Sequence, residues 1–266
     1  MARLPPLKGE SPRRMYVAKD DTGNEVEPNQ AIFPIVSQYS DGTFRLIGTG
    51  FFVALGGIFV TAKHVLEDVL DSNGVATAPI GLFQFLDSGT YYVCPIHMAT
   101  RHDRADIAVG LAAPMHHKTT GLPLPNRVVT LDAATPNLGE NVNTFAYPKT
   151  LITPGKPQLV HFEPTYFSGT ITEHFPQGRD SVLLPGNCYQ TTLVLHGGAS
   201  GGPVFANGGA VFGINSSSVG DEEVSFVSSV WDAVDLAIPN VIMSPETSPR
   251  TTTLRELIAG GIVRVQ

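Results

Sequence analysis

The sequence is poor in cysteine, in positive charge and in long apolar runs, and each shortage removes a class of protein. Two cysteines, Cys94 and Cys188, stand in 266 residues, too few for a disulfide-stapled scaffold. They are expected to be buried free thiols, which fits a reducing, intracellular compartment. Lysine and arginine total 17 against 24 acids, a formal net charge of −7. A nucleic-acid reader carries a basic patch or stripe, and no nucleic-acid partner is expected. Basic residues do gather at Arg3, Lys8, Arg13, Arg14 and Lys19, in a stretch read as a solvated arm. No run reaches the ~18 apolar residues of a membrane helix. The best one, Gly48 to Val60, is broken by glycines, so no membrane partner is expected. The opening MARLPPLKGESPRRM has no apolar h-region, so no secretory signal is read there. Of the eight histidines, His102, His116 and His117 have no partners at metal-ligand spacing. His116 and His117 read as a surface pair, and neither metal nor cofactor is expected.

What the chain has in quantity is glycine (27) and proline (21), without a collagen period. Many turns follow from that, and short strands fit between them. Strand-like segments are Ile32–Tyr39, Thr43–Leu46, Gly50–Ala54, Gly57–Thr61, Ile80–Leu86, Tyr91–Ile96 and Ile107–Leu111. Turn signals at Ser40-Asp41-Gly42 and Leu55-Gly56-Gly57 suit hairpins. Residues 113–127, with Pro114, Gly121, Pro123 and Pro125, read as a connecting stretch. A second group of strands follows: Asn141–Ala146, Leu159–Thr165, Phe167–Thr172, Ser181–Leu184, Pro203–Ala206, Ala210–Asn215 and Ser225–Ser229. A short helix is expected from Lys63 towards Gly74. A C-terminal one is expected over Thr253–Ala259, where Thr253-Leu254-Arg255-Glu256 has capping-box spacing. The fold class expected is all-β.

Three stretches carry chemistry. Phe59-Val60-Thr61-Ala62-Lys63-His64 is a strand with a histidine at its end. Arg104-Ala105-Asp106-Ile107-Ala108-Val109 leads an acid into an apolar strand. Gly197-Gly198-Ala199-Ser200-Gly201-Gly202 embeds a serine in glycines. Such a turn lets the backbone bend sharply and aim N–H groups at one point, as an oxyanion requires. Residues 198–202 also fit the G-x-S-x-G elbow of α/β-hydrolases, whose histidine follows the serine. No histidine follows Ser200, so that reading fails. The order His, Asp, Ser remains. A serine hydroxyl needs a base in reach, and an imidazole base needs an acid to fix its tautomer. Asp103 competes with Asp106 for that place. It stands between His102 and Arg104 and reads as a loop charge.

Thr61-Ala62-Lys63-His64, Asp106-Ile107-Ala108-Val109, Gly198-Ala199-Ser200-Gly201-Gly202-Pro203 and Gly213-Ile214-Asn215-Ser216 resemble, in order and spacing, the motifs of the chymotrypsin-like serine peptidases. The matches span roughly residues 32–235. The resemblance is nearest to the bacterial, disulfide-poor branch that includes Htr-type proteases. Val65 stands where secreted animal trypsins carry a cysteine. The resemblance implies two antiparallel six-stranded β-barrels with the site in the cleft between them. Residues 1–30 are then an irregular arm, 31–120 the first barrel, 121–127 a connector, 128–240 the second barrel, and 241–266 a segment with a helix. It implies a cytoplasmic, bacterial serine endopeptidase acting on polypeptides through an acyl-enzyme. A catalytically inactive or partner-activated binding module on the same fold is the alternative.

By the same resemblance His64 is the general base, Asp106 its orienting acid and Ser200 the nucleophile. The N–H groups of Gly198 and Ser200 form the oxyanion hole. Val194, Asn215, Ser216 and Ser217 line the primary pocket, and Ser216 also bonds the acid. The pocket positions supply no acid, so small or medium apolar side chains are expected at the cleaved position. His196 is read as a loop residue. Ala199 replaces the aspartate that zymogen-type members pair with a new N-terminal ammonium, so no proteolytic activation is expected. The residues after 240 are too few for the peptide-binding domain that Htr proteases carry.

Overall fold

The computed structural model describes residues 15–86, 91–116, 119–153, 158–218, 224–242 and 248–266. His117 and the basic residues at 3, 8, 13 and 14 lie outside them. In chain order the strands are β1 (Ala18–Lys19), β2 (Ile32–Gln38), β3 (Phe44–Phe52), β4 (Ile58–Thr61), β5 (Val75–Phe85), β6 (Tyr91–Arg101) and β7 (Ala108–Ala112). They continue with β8 (Met115–His116), β9 (Pro123–Leu124), β10 (Val128–Val129), β11 (Asn141–Ala146), β12 (Leu151–Ile152), β13 (Val160–His161) and β14 (Thr165–Phe175). The last are β15 (Cys188–Thr191), β16 (Pro203–Phe205), β17 (Val211–Ser218), β18 (Ser225–Ser229), β19 (Ile238–Val241) and β20 (Arg250–Thr252). Helix α1 is Lys63–Glu67 and α2 is Leu254–Ala259.

Two closed barrels result, one in the order β2-β3-β4-β7-β6-β5, the other β11-β14-β15-β18-β17-β16. Every pairing in them is antiparallel. Six strands each and a short C-terminal helix make the chymotrypsin-like fold. Closure leaves neither sheet a full-length open edge. Phe33, Phe51, Phe52 and Phe59 fill the first barrel with no exposure. Each contributes about 1.5–3 kcal/mol relative to exposure. Val142, Ile171, Leu193, Val204, Phe212 and Val227 fill the second. Tyr147 joins the two: it is fully buried and its hydroxyl donates to Ile32 O at 3.0 Å.

Several elements differ from the sequence expectations for local reasons. β3 is one continuous strand, where the glycines at 48 and 50 had divided it in two. A Cβ at Gly50 would lie 2.8 Å from the Phe33 ring, so this glycine serves close packing. Ser181–Leu184 is a loop. The Asp180 carboxylate accepts from Val182 N and Leu183 N at 2.9 and 2.6 Å, curling the chain and leaving Val182 80% exposed. Helix α1 stops at Glu67, and Asp71 then bonds Asn73 N and Val75 N at 2.8 and 2.9 Å, turning the chain into β5. In α2 the Thr253 side chain accepts from Glu256 N, the expected cap, while Thr252 Oγ1 donates to the Glu256 carboxylate at 2.7 Å. Residues 15–19 pack: Val17 and Ala18 are buried, and β1 pairs with β10. Cys94 and Cys188 are free, buried thiols. Burial pushes the Cys94 thiol up to about 11. Among the described residues no helix is long and apolar enough to cross a membrane.

Candidate active site

His64 stands just past the end of β4. Thr61 is buried there, its hydroxyl donating to Thr49 O at 2.7 Å. Ala62 keeps extended backbone, and α1 starts at Lys63. Val65 and Leu66 are the buried face of this short helix. His64 is thereby turned outward, its side chain 43% exposed. Asp106 reaches it from the loop before β7. Its carboxylate accepts from His64 N at 3.0 Å and lies 2.9 and 3.1 Å from His64 Nδ1. A carboxylate only accepts, so Nδ1 carries the proton and Nε2 keeps its lone pair. Ser216 Oγ donates to Asp106 Oδ2 from β17.

The acid's loop is itself held. His102 Nδ1 accepts from Arg104 N and Ala105 N at 3.1 and 2.8 Å. Lys63 Nζ donates to Asp103 O at 3.1 Å. It is thus Asp106 whose carboxylate faces His64, while the exposed Asp103 offers its backbone carbonyl to Lys63. Burial weakens the His64 imidazolium, but the Asp106 hydrogen bond and charge, with Glu67 nearby, outweigh it. Its pKa is raised above the ordinary 6.5.

Ser200 belongs to a turn clamped against the first barrel. Its carbonyl accepts from Thr49 N at 2.8 Å. Gly201 takes φ +81°, and a Cβ there would sit 2.2 Å from Thr61 Oγ1 and 2.3 Å from Thr49 O. Only glycine lets the serine's neighbour lie flat against the strand end that leads to His64. The remaining N–H groups are shared out. Ala199 N donates to His196 O, Gly201 N to Asn215 O and Gly202 N to Ala199 O, at 3.0, 2.7 and 3.0 Å. Those of Gly198 and Ser200 have no acceptor among the described residues. Both residues are half-buried, and Gly198 has φ +92°. Among the described residues no hydrogen bond joins the Ser200 hydroxyl to His64. The backbone clamp seats the Ser200 turn against Thr49, Thr61 and Ala62, on the strand end that leads to His64.

Of the expected pocket residues, Val194 is 42% exposed and Ser217 half-buried. Ser216 is buried, with its hydroxyl on Asp106. Asn215 is also fully buried, and its amide Nδ2 donates to Thr144 Oγ1 and Ala199 O at 2.7 and 3.2 Å. His196 is exposed, with its ring edge-on to Phe167 at 6.0 Å. Sequence reasoning passed over Thr49 and His102 as site residues. Thr49 had no local signal, since its partners lie about the Ser200 turn. His102 had a weak one, a histidine just before a tight turn. Among the described residues no group of three or more His, Cys, Asp or Glu could hold a metal ion.

Two closed six-stranded antiparallel barrels define a class of fold, and the comparisons agree with it. The family model for the trypsin-like peptidase domain matches residues 48–214. That is more than half of the chain, which belongs to this family. Among solved structures, the chain is similar to Deg5, at 19% identity and TM-score 0.55, over 76% of this chain and 84% of that one. The active form of the Rv3671c protease from M. tuberculosis gives 17% identity and TM-score 0.54, over 87% and 91%. Its inactive form gives 18% and 0.50, over 77% and 86%. These likenesses are of fold. A search of curated proteins finds no match.

Proposed function

We propose that the chain is a serine endopeptidase in which Ser200, His64 and Asp106 act as one unit. The observation that carries this reading is the His64 Nδ1–Asp106 contact at 2.9 Å, on the strand end against which the Ser200 turn is clamped. Asp106 holds Nδ1–H and leaves Nε2 free to take a proton. As Ser200 Oγ attacks the scissile carbonyl, its proton passes to His64 Nε2, and the carbonyl π pair moves onto oxygen. The Gly198 and Ser200 N–H groups are free to donate to that oxyanion. Collapse breaks the C–N bond, and His64 returns the proton to the leaving amine. Water, deprotonated by the same imidazole, then hydrolyses the ester and restores Ser200. Asp106 is held in place by the Ser216 hydroxyl and by His64 N. Labelling with a fluorophosphonate probe tests this. The parent is expected to be labelled at one site and Ser200→Ala not at all. An unlabelled parent, or a labelled Ser200→Ala, would overturn the assignment.

A further inference from the structure

The Ser200 turn needs something to fix the tilt of its peptide planes, and Ala199 has no side chain able to pair with a charge. Resting on the peptidase reading, the geometry points to Asn215, seconded by Thr49, as the positioning residue that sets the oxyanion-binding turn from inside the second barrel. A trans peptide is planar, with C=O and N–H on opposite sides. The Ala199 carbonyl is drawn inward by Asn215 Nδ2 at 3.2 Å and Gly202 N at 3.0 Å. The N–H of Ser200, in the same plane, must therefore point outward, and it has no acceptor among the described residues. In the preceding plane, Thr49 Oγ1 donates to Gly198 O at 2.7 Å, while Ala199 N donates to His196 O.

The direction of the Asn215 amide follows from its surroundings. Ala199 O can only accept, so the NH2 group must face it. Thr144 Oγ1 spends its own hydrogen on Pro203 O at 2.8 Å and so accepts the second amide hydrogen at 2.7 Å. Asn215 Oδ1 is left buried without a partner among the described residues. An unpartnered buried carbonyl is a cost to the fold. Its retention makes sense if the amide serves the turn. Backbone bonds add to the grip, Asn215 N to Gly202 O at 2.9 Å and Gly201 N to Asn215 O at 2.7 Å. Successive strand residues point to opposite faces. The pairing of β17 with β18 is irregular between Asn215 and Ser217, and here Asn215 reaches the 199–202 turn while Ser216 reaches Asp106.

The test compares Asn215→Leu, Thr144→Val, Thr49→Val and Thr49→Ser with the parent on a fluorogenic peptide. Asn215→Leu removes the donor together with the unpartnered Oδ1. It is expected to lower kcat about 10- to 100-fold, short of the loss seen when an oxyanion donor is deleted outright. KM should be little changed, as should the urea midpoint. Binding of a peptide aldehyde, which forms the oxyanion, should weaken by the same factor. Thr49→Val should move in the same direction and Thr49→Ser, which keeps the hydroxyl, should not. If Asn215→Leu does not fold, Thr144→Val, which frees the amide from its orienting acceptor, takes its place. A crystal structure of the folded variant reads the turn without relying on activity. The Ala199–Ser200 peptide is expected to rotate, carrying Ala199 O out of the barrel. A peptide that keeps its orientation, or a kcat within twofold of the parent, overturns the role of Asn215. A parent that neither cleaves nor labels overturns the peptidase reading instead, and the crystal structure still decides on Asn215.

Discussion

Replacing Gly201 by alanine probes how tightly the Ser200 turn is clamped. Two costs can be worked from the structure. The backbone at φ +81° is left-handed, and a residue with a Cβ loses roughly 1–2 kcal/mol there. The Cβ would also lie 2.2 Å from Thr61 Oγ1, 2.3 Å from Thr49 O and 2.8 Å from Ala62 N. Two of these are backbone atoms that cannot swing aside, so overpacking adds about 1–3 kcal/mol. Together the loss is about 2–5 kcal/mol, relieved only if the turn moves away from β3 and β4. That movement would break Thr49 N–Ser200 O and carry Ser200 from His64. Gly197→Ala, in the same turn, is the control. Nothing lies within 4 Å of its Cβ position, and a change within about 0.5 kcal/mol is expected. Urea unfolding gives the stability of each variant, and the rate of fluorophosphonate labelling reports the site. If Gly201→Ala unfolds at the parent's midpoint and is labelled at the parent's rate, the clamp as described does not exist.

Ser200→Ala and His64→Ala should each lower kcat by about 10⁴–10⁶-fold, and the double variant should be little worse, because the groups act as a unit. Steady-state kinetics on a peptide substrate measures this, and full activity in His64→Ala would refute it. On the proposed mechanism His64 must be neutral to work, and its pKa is raised, so kcat/KM should climb with pH through a value above 6.5. The linked stability has the matching sign, being present below 6.5 and lost as pH rises through the folded value. Asp106→Asn should drop activity about 10⁴-fold through the wrong tautomer and, by removing the charge, move the limb down. A harmless Asp106→Asn beside a damaging Asp103→Asn would transfer the role. The intact 266-residue chain should take up an irreversible phosphonate stoichiometrically without cleavage, as mass spectrometry can show. Labelling that begins only after an N-terminal segment is removed would contradict this.

The legible part of the site is the part whose context is local. His64, Asp106 and Ser200 each sit at a strand end or in a turn that the neighbouring residues prescribe. A reader of the chain can therefore find them one at a time. The family resemblance assigns Asn215 to the primary pocket, and its sequence neighbours give no hint of Thr144 or the 199–202 turn. Its amide is explained only by partners that the fold brings in. Thr49 is harder still, a polar residue in an apolar strand whose hydroxyl meets a carbonyl 149 positions away. The strands show the same division. Strand-like runs in the sequence match β2, β11 and β18 within a residue of their observed bounds. Cys188–Thr191 was missed as a short, mixed run. Ser181–Leu184 was read as a strand for its apolar residues, although Asp180 bends it outward.

The pair Gly48 and Val65 shows how packing alone, without a covalent staple, holds the helix that carries His64. A Cβ at Gly48 would lie 2.6 and 2.8 Å from the two Val65 methyls, so the valine fills the space that a side chain on β3 would need. Secreted animal trypsins carry a cysteine where Val65 stands. Here the residue is 5% exposed and pins α1, with His64 beside it, onto β3. Burying such a side chain contributes about 1.5–3 kcal/mol, close to the 2–4 kcal/mol typical of a disulfide. Unlike a disulfide, it does not depend on the redox state of the surroundings. The same stretch of β3 then supplies Thr49, whose N–H, hydroxyl and carbonyl contact Ser200, Gly198 and Thr61. His64 and the Ser200 turn are therefore referred to one strand, and a bulkier residue at 48 would displace both at once.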